Sequence, residues 1–182
     1  MERPHDSAAL QLIAFLKKLH QKSPKNAPIN LSRGVLLKNK AEDLAQRINR
    51  LKEKTNYITP KIEALWATAL SAPFPREKYL LHGDLHPRNI IVSDGKIKAI
   101  IDWGDVTDGD VATDLASLWM LFAKKSVRQQ ALKAYGASPD LAQRAIGWAI
   151  FFGVILLDTG LISNEQHAKI GAFTLKNLDK DN

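Results

Sequence analysis

The chain has 182 residues and 45% hydrophobic content, with four Trp, six Phe and three Tyr, the size and apolar supply of one globular domain spanning residues 1–182. It contains no cysteine, which excludes a disulfide framework and a thiolate metal site and favours the cytoplasm. The formal charge of +7 raises nucleic acid or an anionic surface as a partner, but residues 81–120 hold three Lys+Arg against seven Asp+Glu, a net −4 that suits a divalent cation better than a phosphate backbone.

The opening MERPHDSAAL places charges and a proline where a secretory signal has its apolar stretch, so export by that route is not expected. Leu10, Ile13, Ala14, Leu16 and Leu19 recur at helical spacing and predict a first helix over 7–20, with Asp6 or Ser7 as its N-cap. SPKNAPINLSRG has two prolines and ends in glycine, so 23–34 reads as a surface connection. A second amphipathic helix is predicted over 38–54 from Ala41, Leu44, Ile48 and Leu51, and a third over 61–70, stopped by Ala72-Pro-Phe-Pro. Past Tyr79 the pattern changes. Ile90-Ile91-Val92 and residues 97–101 flank the turn signal Ser93-Asp94-Gly95 and predict a small hairpin. From Ala112 the chain reads as helical, with Ser138-Pro139 as an N-cap and N1 pair and Ser163 with Gln166 as a capping box. The apolar run IGWAIFFGVILL has twelve residues, short of the ~20 that span a bilayer, and predicts a buried helix rather than a membrane segment. The expected fold class is α+β, mostly helical.

The chemistry lies in HGDLHPRN, from His82 to Asn89, and in IDWGD, from Ile101 to Asp105. Three readings compete. His82, Asp84 and His86 alternate as ligands of a hydrolytic metal would, but His5, His20 and His167 lie in helical or terminal segments without neighbouring ligand clusters. The acids could instead only cap turns, yet Asp102, Asp105, Asp108, Asp110 and Asp114 would repel one another unless paired, protonated or near a cation. Phosphoryl transfer accounts for more of the pattern. It needs a carboxylate to orient the acceptor hydroxyl and oxygen ligands for magnesium; Asp84 and Asn89 have Asp-x-x-x-x-Asn spacing, and a hairpin then ends in Asp102-Trp103-Gly104.

HGDLHPRNIIV and AIIDWGDVTDGDVATDLASL together resemble the aminoglycoside phosphotransferase and choline kinase-like family, and ALQLIAFLKKLH is similar to its early leucine-rich helix. The resemblance implies the C-terminal lobe of a protein kinase-like fold. It implies Asp84 as catalytic base or hydroxyl-orienting group, Asn89 and Asp102 as magnesium ligands, and ATP as phosphate donor. Ile91 and Ile101 would form an apolar floor under adenine, His82 would brace the catalytic loop, and Asp114 would tie the loop backbone to the following helix. Arg88 departs from the glycine common in the family.

A kinase-like enzyme also has an N-terminal β-lobe with a glycine-rich loop and a phosphate-binding lysine. No glycine precedes Gly34, and Val35-Leu36-Leu37-Lys38 follows a helix and reads as the approach to the next one. The N-terminal β-lobe is therefore expected to be absent, which leaves an incomplete enzyme or a non-catalytic remnant that binds a ligand or regulates. The expected acceptor is a small alcohol or amino alcohol rather than an aminoglycoside, because the helical flanks carry most of the basic excess. Self-association, or union with a separate N-terminal lobe, is expected from the apolar surface such a lobe leaves; neither nucleic acid nor membrane is expected as a partner.

Overall fold

Helices occupy both flanks of the chain and hold two short antiparallel ladders between them in the computed structural model, which describes residues 2–181. Helix α1 (Ala8–Leu19) buries Leu12, Ile13 and Leu16, and His20 is its C-cap; Ser7 lies at its start without a side-chain capping bond. Residues 23–34 form the expected irregular connection. A 3₁₀ turn at Leu37–Lys40 then leads into α2 (Ala41–Lys54), so the helix predicted over 38–54 starts in a tighter turn. In α3 (Pro60–Ser71) the Thr59 side chain accepts from the Ile62 amide, with Pro60 at the position where a missing N–H costs nothing.

Four strands follow. β2 (Ile90–Ser93) and β3 (Lys96–Ile100) form the expected hairpin, with Ser93 opposite Lys96. Its two-residue turn is made by Asp94 (φ 52°) and Gly95 (φ 68°), both left-handed as such a tight turn requires. The second ladder was not expected: β1 (Tyr79–Leu81) pairs with β4 (Thr107–Gly109). These three-residue strands carry too little alternation to be read alone, but their pairing closes residues 82–106 into one excursion.

The C-terminal half comprises α4 (Ala112–Leu115), α5 (Ser117–Leu121), α6 (Lys125–Tyr135), α7 (Pro139–Ser163) and α8 (Glu165–Lys180). α7 is the axis of the core, packed by α8 along its length and by α2, α3 and α4 around it. It is twice as long as the apolar run that announced it and passes a membrane span's length test, yet 72% of its apolar stretch is buried inside this chain. Burial, not shortness, accounts for its composition. The capping box expected at Ser163 and Gln166 is replaced: Ser163 ends α7, and Asn164, in extended backbone, accepts the His167 amide with its side chain.

Ion pairs to two buried carboxylates, Asp158 and Asp110, fasten other elements to α7. Asp158 accepts from Arg47 (3.0 Å) and Arg50 (2.6 Å) of α2. Arg144 donates to Asp110 through Nε (2.6 Å) and Nη2 (3.3 Å) and to the Pro73 carbonyl (2.7 Å), which anchors the chain where β4 passes into α4. Arg144→Met strands the buried Asp110 carboxylate and is expected to cost about 3 kcal/mol, with the double variant Arg144→Met/Asp110→Asn recovering part of the loss. Urea denaturation of the three variants measures both effects.

Candidate active site

The motif segment is held from beneath by one carboxylate. Asp114, fully buried in α4, accepts the amides of His82 (2.8 Å, Oδ2) and Gly83 (2.9 Å, Oδ1), and its Oδ2 also meets His20 Nε2 at 3.1 Å. Burial alone would raise its pKa; His20 and the two amides outweigh that and hold the group below the usual carboxylate range. Behind His20 lies Tyr135, whose oxygen is 2.8 Å from Nδ1. Burial, then the nearby Asp114 charge, pushes the Tyr135 phenol well up, so it stays protonated and donates to Nδ1, leaving Nε2–H to donate to Asp114.

Gly83 is required by a close approach as well as by its φ of 86°: a Cβ there would lie 2.3 Å from the Asp105 carbonyl oxygen. His82, also fully buried, accepts the Asp84 amide at Nδ1 (3.3 Å) and therefore donates Nε2–H to the Ile101 carbonyl (3.0 Å). One imidazole thus connects the loop that holds Asp84 to the strand end that holds Asp102. Trp103 packs on it at 4.7 Å between ring centroids and donates to the Ile100 carbonyl.

The loop ends in a 3₁₀ turn at Pro87–Asn89. Asn89 is buried, and its Nδ2 donates to the Asp84 carbonyl (2.9 Å) and carboxylate (3.3 Å). These two acceptors fix which amide atom is nitrogen and leave Oδ1 available to a cation. Across the hairpin mouth, the Ile101 amide donates to the Asn89 carbonyl (2.9 Å), so Asp102 follows immediately beside Asn89. Asp84, Asn89 and Asp102 belong to one excursion of the chain.

The acidic cluster sorts itself by partner. Asp110 meets Arg144, Asp114 meets His20 and two amides, and Asp108 meets Lys78 at 3.4 Å. Asp105 accepts from Asn30 Nδ2 (2.8 Å) and lies 3.5 Å from Arg33. Asp102 is exposed, has φ 61°, and has no hydrogen bond or ion pair among the described residues. A non-glycine residue held left-handed with its carboxylate bare is a strained arrangement of a kind that clusters at functional sites. Two oxygens, Asn89 Oδ1 and Asp102, suit magnesium, which is commonly bound through one or two protein ligands plus substrate phosphates. Above them the outer hairpin face presents Ile91 (44% exposed) and Ile101 (42%), with Trp103 (43%) beside them, an open apolar ledge.

Arg33 and Asn30 were not singled out from the sequence, and His20 and His167 were set aside there as lacking neighbouring ligands. The first two sit in the stretch read as surface connection, which is seated on β4 by glycine-to-glycine contact: a Cβ on Gly109 would lie 2.5 Å from the Gly34 carbonyl oxygen. That contact delivers Arg33 Nη2 to Asp84 Oδ1 at 3.2 Å. On the other oxygen, His86 Nε2 lies 3.5 Å from Asp84 Oδ2. Arg88, which could have been solvated, donates to His167 Nε2 in α8. The one legible signal was Gly34, just after Arg33 and left-handed at φ 66°.

A mostly helical chain with a small antiparallel hairpin, loop Asp and Asn on one side and an Asp-x-Gly on the other, has a kinase-like phosphotransferase fold. A family model described as the phosphotransferase enzyme family matches residues 2–146, so the chain belongs to that family. Aminoglycoside 3'-phosphotransferases of Escherichia coli and Salmonella typhimurium are each 28% identical to it over 138 residues, covering 71% of this chain and 50% of theirs. The chain thus spans about half the length of these curated relatives. Among solved structures, the GDP complex of aminoglycoside 2'-phosphotransferase-IIIa is 21% identical with a TM-score of 0.56, over 97% of this chain and 61% of that one. The macrolide 2'-phosphotransferase apoenzyme of Brachybacterium faecium is 21% identical with a TM-score of 0.55, over 96% and 62%.

Asp114→Asn turns one amide acceptor into a donor and is expected to cost about 3 kcal/mol. A depressed carboxyl contributes stability above its unfolded pKa of about 4 and loses it as pH falls through the folded value. Stability of the parent chain should therefore fall on acidification below about pH 4, and the variant should fall less steeply; thermal melts between pH 3 and 7 measure the difference.

Proposed function

We propose that the chain is the C-terminal, catalytic and substrate-binding lobe of a phosphotransferase that moves the γ-phosphate of ATP to a hydroxyl of a small molecule. The observation that carries this reading is the contrast between four acids that each have a lysine, arginine or histidine partner and the bare, left-handed Asp102 beside the free Oδ1 of Asn89. In this reading Asn89 and Asp102 hold magnesium, which neutralises phosphate charge when bound. Asp84 orients the acceptor hydroxyl and takes its proton. Ile91 and Ile101 offer adenine an apolar floor. His82 and Asp114 are positioning residues, fixing the loop backbone from which Asp84 and Asn89 project. Support comes from family membership and from a GDP-bound structure of the same fold.

The reading also makes the chain an incomplete enzyme. Among the described residues no strand precedes Tyr79, apart from an isolated bridge between Lys22 and Tyr79, and nothing there serves as a glycine-rich loop. A β-lobe, or a second copy, would cover the apolar ledge of Ile91, Ile101 and Trp103. One observation favours a non-catalytic binding or regulatory module instead: the Oδ1 oxygen of Asp84 is already ion-paired with Arg33.

Calorimetric titration of the 182-residue chain with Mg-ATP decides the matter. Weak, magnesium-dependent binding is expected, abolished by Asp102→Ala and preserved in Asp84→Ala. Turnover should be at least ~10³-fold below that of a two-lobed enzyme, since catalysis of this transfer rests on positioning and charge stabilisation. Mg-ATP binding indifferent to Asp102→Ala would remove the assignment, and robust turnover abolished by Asp84→Ala would show the chain to be complete. Turnover restored by a separately expressed β-lobe would favour the incomplete enzyme over the module.

A further inference from the structure

The carboxylate beneath the motif loop is itself held from the far ends of two helices. His20 is the C-cap of α1, and the chain that follows it runs beside β1. There the Leu80 amide donates to the Gln21 carbonyl (3.0 Å), the Ser23 amide to the Lys78 carbonyl (3.3 Å), and Lys22 bridges Tyr79. Backbone pairing thus sets His20 beside the strand that leads into His82. Its side chain is 1% exposed and reaches two groups, Asp114 Oδ2 through Nε2 (3.1 Å) and the Tyr135 hydroxyl through Nδ1 (2.8 Å). Tyr135 is the last residue of α6, which Lys17 of α1 also grips by donating to the Ala134 carbonyl (3.0 Å).

The direction of these bonds is constrained. An imidazole with its only proton on Nδ1 would turn the Nε2 lone pair on a carboxylate oxygen, two acceptors face to face in a buried site. Asp114 therefore requires the proton on Nε2, which leaves Nδ1 a buried acceptor in need of a donor, and the Tyr135 hydroxyl is that donor. Against the burial of Asp114, which raises its pKa, His20 counts for more than either loop amide. We propose that His20 and Tyr135 are positioning residues of the candidate active site: the Tyr135 hydroxyl stabilises the one tautomer of His20 that donates to Asp114, and Asp114 so held keeps both its oxygens on the loop from which Asp84 and Asn89 project. Both residues lie outside the motif segments, so the order of the loop is set in part where α1 and α6 end. The consequence for Mg-ATP rests on the phosphotransfer reading.

The test is NMR spectroscopy of the full chain, with Mg-ATP titrated into each variant by calorimetry. Long-range proton–nitrogen correlation in the His20 ring should place its proton on Nε2; a proton on Nδ1 overturns the inference. His20→Leu fills the space without a donor and should speed exchange of the His82 and Gly83 amides about tenfold or more. Tyr135→Phe removes one hydroxyl and should speed the same amides about threefold to tenfold. His20→Gln returns an N–H toward Asp114 and should recover most of the protection. Exchange at Ile150 and Val154, fully buried in α7, reads global opening, so acceleration confined to His82 and Gly83 supports the inference. Equal exchange in the Leu and Gln variants, or acceleration matched at Ile150 and Val154, shows His20 to be packing only and overturns it. Mg-ATP binding should weaken in His20→Leu and return in His20→Gln. Its absence from the parent chain would remove the phosphotransfer reading and leave the positioning role to be decided by exchange.

Discussion

The loop that carries Asp84 and Asn89 is anchored by the Asp114 carboxylate, which accepts two consecutive amides, those of His82 and Gly83. Buried backbone N–H groups at the start of an irregular loop have no strand or helix partner of their own, and leaving them unmet would cost about 1–3 kcal/mol each. One ionised side chain satisfies both and meets His20 as well. It is itself kept charged in a dry environment only by those same partners. Loop and carboxylate stabilise each other, so the backbone from which Asp84 projects is fixed by a group that does not face solvent.

From that anchor the rest of the site follows by short bonds. His82 carries the order from loop to hairpin end, Asn89 closes the loop on Asp84, and the hairpin returns the chain to place Asp102 next to Asn89. The β1–β4 ladder then joins the two ends of the excursion. Asp110 and Arg144 fasten its exit to α7, so rigidity passes from the helical core into a segment that has little core of its own.

The sequence was most legible where chemistry or periodicity repeats. Ile13 and Leu16 of α1, the Asp94-Gly95 turn and the Ser138 N-cap all express local rules, and the structure has each of them, whereas Leu10 of the same predicted face is 45% exposed. Asp84, Asn89 and Asp102 could be grouped because their spacing carries a chemical requirement, and the three do share one segment. What could not be read is non-local. The β1–β4 pairing joins residues far apart through strands too short to show a period, and His20 gains its partner Asp114 only through folding. Arg33 was hidden for the same reason: composition identifies a loop but not the surface on which the loop is laid.

The ion pair between Arg33 and Asp84 is not in conflict with transfer chemistry. The ion pair engages one carboxylate oxygen, which would be decisive if the hydroxyl had to be deprotonated at that oxygen before attack. In a loose phosphoryl transfer the nucleophile has formed little bond at the transition state, and its proton can leave late. In the phosphotransfer reading the carboxylate acts mainly by orienting the hydroxyl, a task that the contact with Arg33 leaves possible. Two oxygens are present, and Arg33 meets Oδ1 while Asn89 donates to Oδ2. Oδ2 also has His86 Nε2 at 3.5 Å, and Asp84 is about one-fifth exposed through its side chain, so a hydroxyl can reach it at the lone pair that Arg33 leaves on Oδ1. A cation fixed beside the acceptor also lies near where negative charge must be gathered, at a position set by the fold rather than recruited during the reaction.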